Sequence, residues 1–228
     1  MEDKDRLDDE QRKTMLQFMA TEHSALQAGR SATIFETGAR SGAFLGIVSS
    51  ALVALAFVGQ VSRLGTAFFA FALVLLPTLF FVGLASFERA LQSAIEDTVY
   101  ARGISRIRHL YVEMVPQAEK YFVGSIHDDF AATMASTRGG YYEQAMARPW
   151  LPTFLTTAGA IAVVNGVIAG SFAGLLLRAV VVESLPLSVG AGIVVFLVSV
   201  FLQQRHQAAR WLQTRQRLPV LFPSERDP

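Results

Sequence analysis

The sequence contains no cysteine, which removes disulfides, thiolate metal sites and cysteine nucleophiles from consideration. Charge is scarce as well: 17% of residues are charged, against about a quarter in soluble domains, while 52% are hydrophobic. That much apolar surface exceeds what one small soluble core hides, so a membrane is the first expectation. Lysine is nearly missing, with 3 Lys against 17 Arg. Together with abundant Ala, Gly and Val, this is the mark of a GC-rich coding sequence and points to a bacterial source. Net charge is +1 and no basic run tracks a phosphate backbone, so no nucleic-acid partner is expected. No HExxH, GxSxG, Walker loop or GxGxxG occurs, so no catalytic residue, cofactor or metal site is expected.

What the sequence does have is four long stretches without charge. They lie between Arg40 and Arg63 (22 residues), Arg63 and Glu88 (24), Arg148 and Arg178 (29), and Glu183 and Arg205 (21). Crossing ~30 Å of hydrocarbon takes ~20 apolar residues. Spans are therefore expected near 43–61, 66–87, 154–177 and 185–202, paired as two hairpins. The first is preceded by a polar segment opening on Glu2, Asp3, Asp5, Asp8, Asp9 and Glu10, where a cleavable signal would be basic and then apolar. It is expected to be a retained anchor.

Orientation follows from Lys and Arg. The N-terminal segment carries 6, the segment 88–152 carries 7 and the tail from 203 carries 5, against one each, Arg63 and Arg178, in the two short connections. Eighteen against two places both termini and the central segment in the cytoplasm of a multi-pass cell-membrane protein. Trp150 and Trp211 flank the second hairpin, where indoles favour the headgroup region, and Arg148 and Arg178 can snorkel from opposite ends of the third span.

Helices in lipid associate where small residues let backbones approach. The third span repeats Ala158, Ala162, Gly166, Gly170 and Gly174 at intervals of four. The first repeats Gly38, Gly42, Gly46, Ser50 and Ala54. Both stripes are packing signals, usable within one chain or between copies, so a homo-oligomer is one expected partner. Asn165 stands beside the third-span stripe near mid-span. Its plain reading is an interhelical hydrogen bond with Ser49, Ser50, Thr78 or Ser199; the sharper reading is an amide facing a lumen or ligand. The second span gathers Phe68, Phe69, Phe71, Phe80, Phe81 and Phe87 around Pro77, a lipid-facing composition with an expected bend at the proline. No ionisable residue stands inside any span, which argues against proton- or ion-coupled transport.

The second span is expected to continue as helix to Val115, stopped by Pro116. Tyr100, Ile104, Ile107, Tyr111 and Met114 recur at coiled-coil spacing, as do Leu16, Met19, His23 and Leu26 ahead of the first span. These extensions are expected to pair antiparallel in a stalk. His23 in that seam is a group that titrates near neutrality. Arg102, Arg106 and Glu113 occupy the opposite, solvated face. Phe122, Ile126 and Phe130 suggest a short amphipathic helix on the membrane surface, and Thr137-Arg138-Gly139-Gly140 a loop. The segment from Gln203 to Arg217 reads as a basic helix with Arg205, Arg210, Arg215 and Arg217 toward anionic lipid, ended by Pro219 and Pro223. His109 with Glu113, and His127-Asp128-Asp129, read as ordinary surface groups.

The run Glu22-His23-Ser24-Ala25-Leu26-Gln27 continuing to Arg30, with Phe57-Val58-Gly59-Gln60 and Phe87-Glu88-Arg89, resembles uncharacterised multi-pass membrane proteins of actinobacteria over most of the chain. That resemblance implies no activity. The layout, a hairpin bearing long cytoplasmic helices, is also similar to the transmembrane effector modules of bacterial defence systems. The expected fold is all-α: a four-helix transmembrane bundle of two hairpins with long cytoplasmic helical extensions. Its parts are 1–40, a cytoplasmic helix; 41–87, the first hairpin; 88–149, a cytoplasmic segment; 150–202, the second hairpin; and 203–228, a basic tail. The expected function is non-catalytic, assembling copies or engaging a cytoplasmic protein partner, with a small channel or pore-forming effector as the rival.

Overall fold

A computed structural model of the chain describes residues 9–138, 154–180 and 184–224. Glu2, Asp3, Asp5, Asp8, Gly139, Gly140, Arg148, Trp150 and Glu183 lie outside the described residues. Every regular element among the described residues is helical: α1 (Asp9–Val61), α2 (Thr66–Met114), a 3-10 turn (Pro116–Tyr121), α3 (Phe130–Arg138), α4 (Thr157–Val180) and α5 (Leu185–Arg217). Of these, α1, α2, α4 and α5 are long and apolar enough to cross a membrane. Only 17%, 22%, 33% and 17% of their respective apolar windows is buried, so most of this surface faces outward, as helices dissolved in lipid require.

The chain divides into two compact units. An apolar unit comprises Phe35–Ser93 and Ala147–Gln216; a polar unit comprises Met1–Ile34, Ala94–Met146 and Arg217–Pro228. In the apolar unit, α1 turns into α2 over Ser62–Gly65. Ser62, Arg63 and Leu64 donate backbone N–H groups to the carbonyls of Val58, Gln60 and Gly59. Arg63 (φ 52°) and Leu64 (φ 57°) both take the left-handed conformation, which costs each roughly 1–2 kcal/mol. Gly65 follows because a Cβ there would stand 2.8 Å from the Ser62 carbonyl oxygen. Through Pro77, α2 continues as helix. Its phenylalanines divide between two environments: Phe81 faces outward, while Phe87 is in the core.

The two small-residue stripes have different fates. On α4, Ala158, Ala162, Gly166 and Gly170 are buried. A Cβ on Gly170 would lie 2.5 Å from the Gly192 carbonyl oxygen, and one on Gly192 would lie 2.8 Å from the Gly170 oxygen. A Cβ on Gly166 would strike Val200, and one on Gly174 the Ser188 carbonyl. This stripe is the seam along which α4 and α5 pack antiparallel within one chain. On α1, by contrast, Gly42, Gly46 and Ser50 are exposed, and a Cβ on Gly38, Gly42 or Gly46 would meet nothing within 4 Å.

In the polar unit the first part of α1 runs antiparallel to the last part of α2. Arg30 pairs with Asp97 through a forked contact (Nε–Oδ1 2.8 Å, Nη2–Oδ2 3.4 Å). Tyr100 packs over Gly29 and Leu26 over Gly103. Ile104 and Ile107 are buried, while Leu16 at the far end is exposed. The amphipathic helix expected from Phe122, Ile126 and Phe130 is not formed. The chain is irregular from 122 to 129, and α3 starts at Phe130, because Asp129 caps it: Oδ1 accepts the Ala132 N–H at 2.8 Å.

The two stripes predict opposite responses to the same substitution. Gly170→Ala should destabilise the protein by about 1–3 kcal/mol through overpacking. Gly42→Ala, on an open helix face, should leave stability unchanged or gain up to ~1 kcal/mol from helix propensity. Reversible unfolding in mixed micelles reads both, and equal effects would contradict this packing.

Candidate functional site

Two buried polar clusters stand out, one in each unit. In the apolar unit Asn165 is fully buried. Its Nδ2 donates to Gln203 Oε1 at 3.0 Å, and Gln203 Nε2 donates to Ser199 Oγ at 3.2 Å and the Ser199 carbonyl at 3.3 Å. Asn165 Oδ1 fills a notch above Gly83 of α2: a Cβ at residue 83 would fall on this oxygen and would crowd Phe44 Cζ of α1 at 3.0 Å. Oδ1 itself has no hydrogen-bond partner. The partner of Asn165 is therefore Gln203, which the sequence reading placed in the basic tail. Ser49 and Ser50 are exposed, and Thr78 donates to its own helix at Val74. Ser199 joins only through Gln203. The polar column continues to Gln207, also buried, with Oε1 unpartnered.

Beyond this column the apolar unit carries a charged layer. Glu36 accepts a fork from Arg89 (2.8 and 3.1 Å) and a third bond from Arg40 at 2.8 Å. Glu88 meets His206 at 2.9 Å and Arg210 at 3.5 Å. These pairs tie α1 to α2 and α2 to α5. Being partly exposed they are individually weak, but they mark where the apolar windows end.

The polar unit is organised by Asp128 and Asp129, both with no exposed surface. Asp128 Oδ1 accepts the N–H groups of Leu221 (3.0 Å) and Phe222 (2.8 Å), and Oδ2 accepts Arg106 Nε at 2.7 Å. Its own N–H donates to the Phe222 carbonyl. Asp129 Oδ2 accepts the Ser224 N–H at 2.9 Å while Oδ1 caps α3. Arg102, buried, donates to the carbonyls of Asp128, Leu218 and Pro219, and Arg106 also reaches Pro219 at 2.7 Å. His109 stacks on Phe222 with ring centroids 3.9 Å apart. Two carboxylates and two guanidiniums thus clasp the irregular segment 218–224. Of the residues read from sequence as solvated, Asp128, Asp129 and Arg102 are buried and Arg106 is half-buried, while Glu113 is exposed as expected. The first four are enclosed because the chain returns from more than ninety residues away to supply the amides and carbonyls they need.

Burial alone would raise the Asp128 carboxyl. The Phe222 amide, Arg106 and the Leu221 amide outweigh it, holding the carboxyl below its ordinary 3.8. Asp129 behaves alike: burial raises it, and the Ala132 and Ser224 amides bring it lower. His23 is half-buried, with Nδ1 unpartnered; burial first, then Arg108, lowers its pKa and favours the neutral ring. Arg108 lies over Gly124 and is itself lowered by burial and by Arg30. His109 Nε2 stands 3.5 Å from Glu113, and among the described residues no three His, Asp or Glu converge on a metal-sized site. Chemically, the carboxylates are occupied as anchors for backbone. Sequence reasoning missed Gly83, Gly192, Gln203 and the clasp. The one local signal was the acidic pair immediately before an apolar helix start, an N-cap pattern.

Replacing one partner of a buried charge group leaves the others unpaired, so Asp128→Ala should cost the polar unit about 3 kcal/mol. Because the carboxyls of Asp128 and Asp129 are lowered on folding, their contribution is complete above the ordinary carboxylate range. It is lost as pH falls from about 4 through the lowered folded values. Protection of the Leu221 and Phe222 amides, taken as hydrogen exchange relative to the intrinsic rate at the same pH, should fall in Asp128→Ala at pH 7, and in the wild type only on acidification. Unchanged protection in the variant would contradict the clasp.

Comparison with protein-family models, with curated proteins and with solved structures gives no match for this chain.

Proposed function

We propose that the chain is a four-pass membrane protein with both termini in the cytoplasm, serving without catalysis as an assembly or docking element. In this reading the apolar unit anchors it among lipids and the polar unit faces the cytoplasm. There it meets further copies or a protein partner, with nucleic acid playing no part. The observation that carries the reading is the construction of the polar unit. Asp128, Asp129, Arg102 and Arg106 are turned toward residues 218–224, while Phe18 (65% exposed), Tyr121 (75%) and Val123 (106%) stay outside. Large apolar groups left on a closed, charge-stapled unit are what an interaction surface offers. The open α1 stripe at Gly42 and Gly46 supports a second contact between copies.

A small channel is the second reading. It is favoured by the buried column Asn165, Gln203 and Gln207, with oxygens on Asn165 and Gln207 unpartnered inside an apolar unit.

One preparation tests both. The mass of the wild type in nanodiscs should be that of an assembly. Phe18→Asp with Val123→Asp, or Gly42→Leu with Gly46→Leu, should return it to a monomer and so name the contact. A monomeric wild type contradicts assembly of copies. Proteoliposomes of the same protein should add no ion leak; a leak abolished by Gln203→Leu would transfer the proposal to the channel.

A further inference from the structure

The apolar unit is not packed equally along its length. Toward Glu88 and Arg89 it is dense: Phe44, Phe87, Ala162 and Asn165 are all buried. Toward Arg178 it opens into a groove of about 610 Å³ between the two hairpins. Leu52 and Leu55 of α1 and Leu76 of α2 form one wall. The other is made by α4 and α5, with Val167, Leu175, Val189 and Ile193 beside the backbone of Gly170 and Gly192. A Cβ on Gly170, Gly174 or Gly192 would meet the facing helix, so the backbones touch in the α4–α5 seam and the groove runs beside that seam, open toward Leu52, Leu55 and Leu76.

Length and charge say what fits. From Gly170 to Arg178 the groove follows eight residues of helix, ~12 Å, most of the ~15 Å depth of one hydrocarbon leaflet. Its walls are mostly apolar, and the one ionisable residue lining it is Arg178, in the last turn of α4. An occupant with an apolar body about one leaflet deep and an anionic head at the helix end matches both. A guanidinium has five N–H donors, so Arg178 can serve such a head alongside any other acceptor. A second copy fits less well: its exposed span residues, such as Phe57 and Phe201, bring apolar bulk but no anionic group for Arg178.

We propose that this groove holds one acyl chain of an anionic phospholipid of the surrounding bilayer, with the phosphate at Arg178. The inference rests on the membrane reading. It goes beyond that reading by naming a specific lipid site, one that uses charge at the end of α4 and apolar side chains of all four helices along its walls. Lipid fills the open half of the unit much as Asn165 fills the other.

The test is native mass spectrometry of the delipidated protein titrated with phosphatidylglycerol or phosphatidylcholine. The wild type should retain one phosphatidylglycerol per chain, about fivefold more tightly than phosphatidylcholine, the factor one arginine confers beside anionic lipid. Ser171→Trp and Val189→Trp, at exposed lining positions, should each abolish retention while keeping the wild-type helical circular dichroism. Arg178→Gln should keep lipid but lose the preference. A wild type that retains no lipid, or equal retention by the wild type and a folded tryptophan variant, would overturn the proposal. So would competition by glycerol phosphate alone, or a dimer mass that the tryptophan variants remove, which would put a free anion or a second copy in the groove. Alkaline extraction separates the two levels. A chain washed off membranes sinks the membrane reading, whereas one that stays embedded and binds no lipid sinks this inference alone.

Discussion

Asn165 reaches from α4 into a notch that exists only because residue 83 of α2 has no side chain. Between apolar helices in lipid there is little hydrophobic gain, since hydrocarbon solvates leucine as well as another helix does. What distinguishes one arrangement from another is close backbone approach and polar groups that have somewhere to go. The Asn165 amide supplies both. Its oxygen keys the second hairpin into the first at Gly83, beside Phe44, and its nitrogen bonds Gln203 of α5. The α4–α5 seam sets the rotation of α4 that points Asn165 at the notch. Moving that seam by one residue would turn the amide about 100° away.

The polar unit solves a different problem by different means. Its helix pair is short of apolar contact at the Leu16 end, and its terminal segment 218–224 has no helix to supply backbone partners. Asp128, Asp129, Arg102 and Arg106 take that role, exchanging charge-assisted hydrogen bonds with the backbone of the tail. Glycine stands where the two helices touch most closely, at Gly29 and Gly103, each covered by a side chain of the facing helix. The same residue type thus serves helix–helix approach in both units, while among the described residues charge is buried only in the polar one.

Much of the architecture was legible in the sequence. Charge-free stretches bounded by Arg40, Arg63, Glu88, Arg178 and Arg205 match the four long apolar helices, because lipid imposes a length rule that composition alone reveals. The Tyr100–Ile104–Ile107 repeat marked a face that is used, since helical periodicity is a local property. What was not legible depended on distant partners. The α1 and α4 stripes look alike as strings, yet Gly170 meets Gly192 and Gly42 meets nothing. Asn165 announced that it needed a partner, but Gln203 sits where charge begins to return and read as tail. Asp128 and Asp129 looked like surface because the amides of Leu221, Phe222 and Ser224 that enclose them lie more than ninety residues on.

The central claim is that the two hairpins are keyed by Asn165 at Gly83, and the most direct measurement is a double-mutant cycle on that contact. Gly83→Ala alone should destabilise the protein by about 1–3 kcal/mol, since the new methyl occupies the place of Oδ1. In an Asn165→Ala background the same change should cost much less, because the oxygen it collides with is gone, giving a coupling above about 0.5 kcal/mol. Additive effects of the two substitutions in reversible micellar unfolding would contradict the keyed arrangement and leave the hairpins held by some other contact.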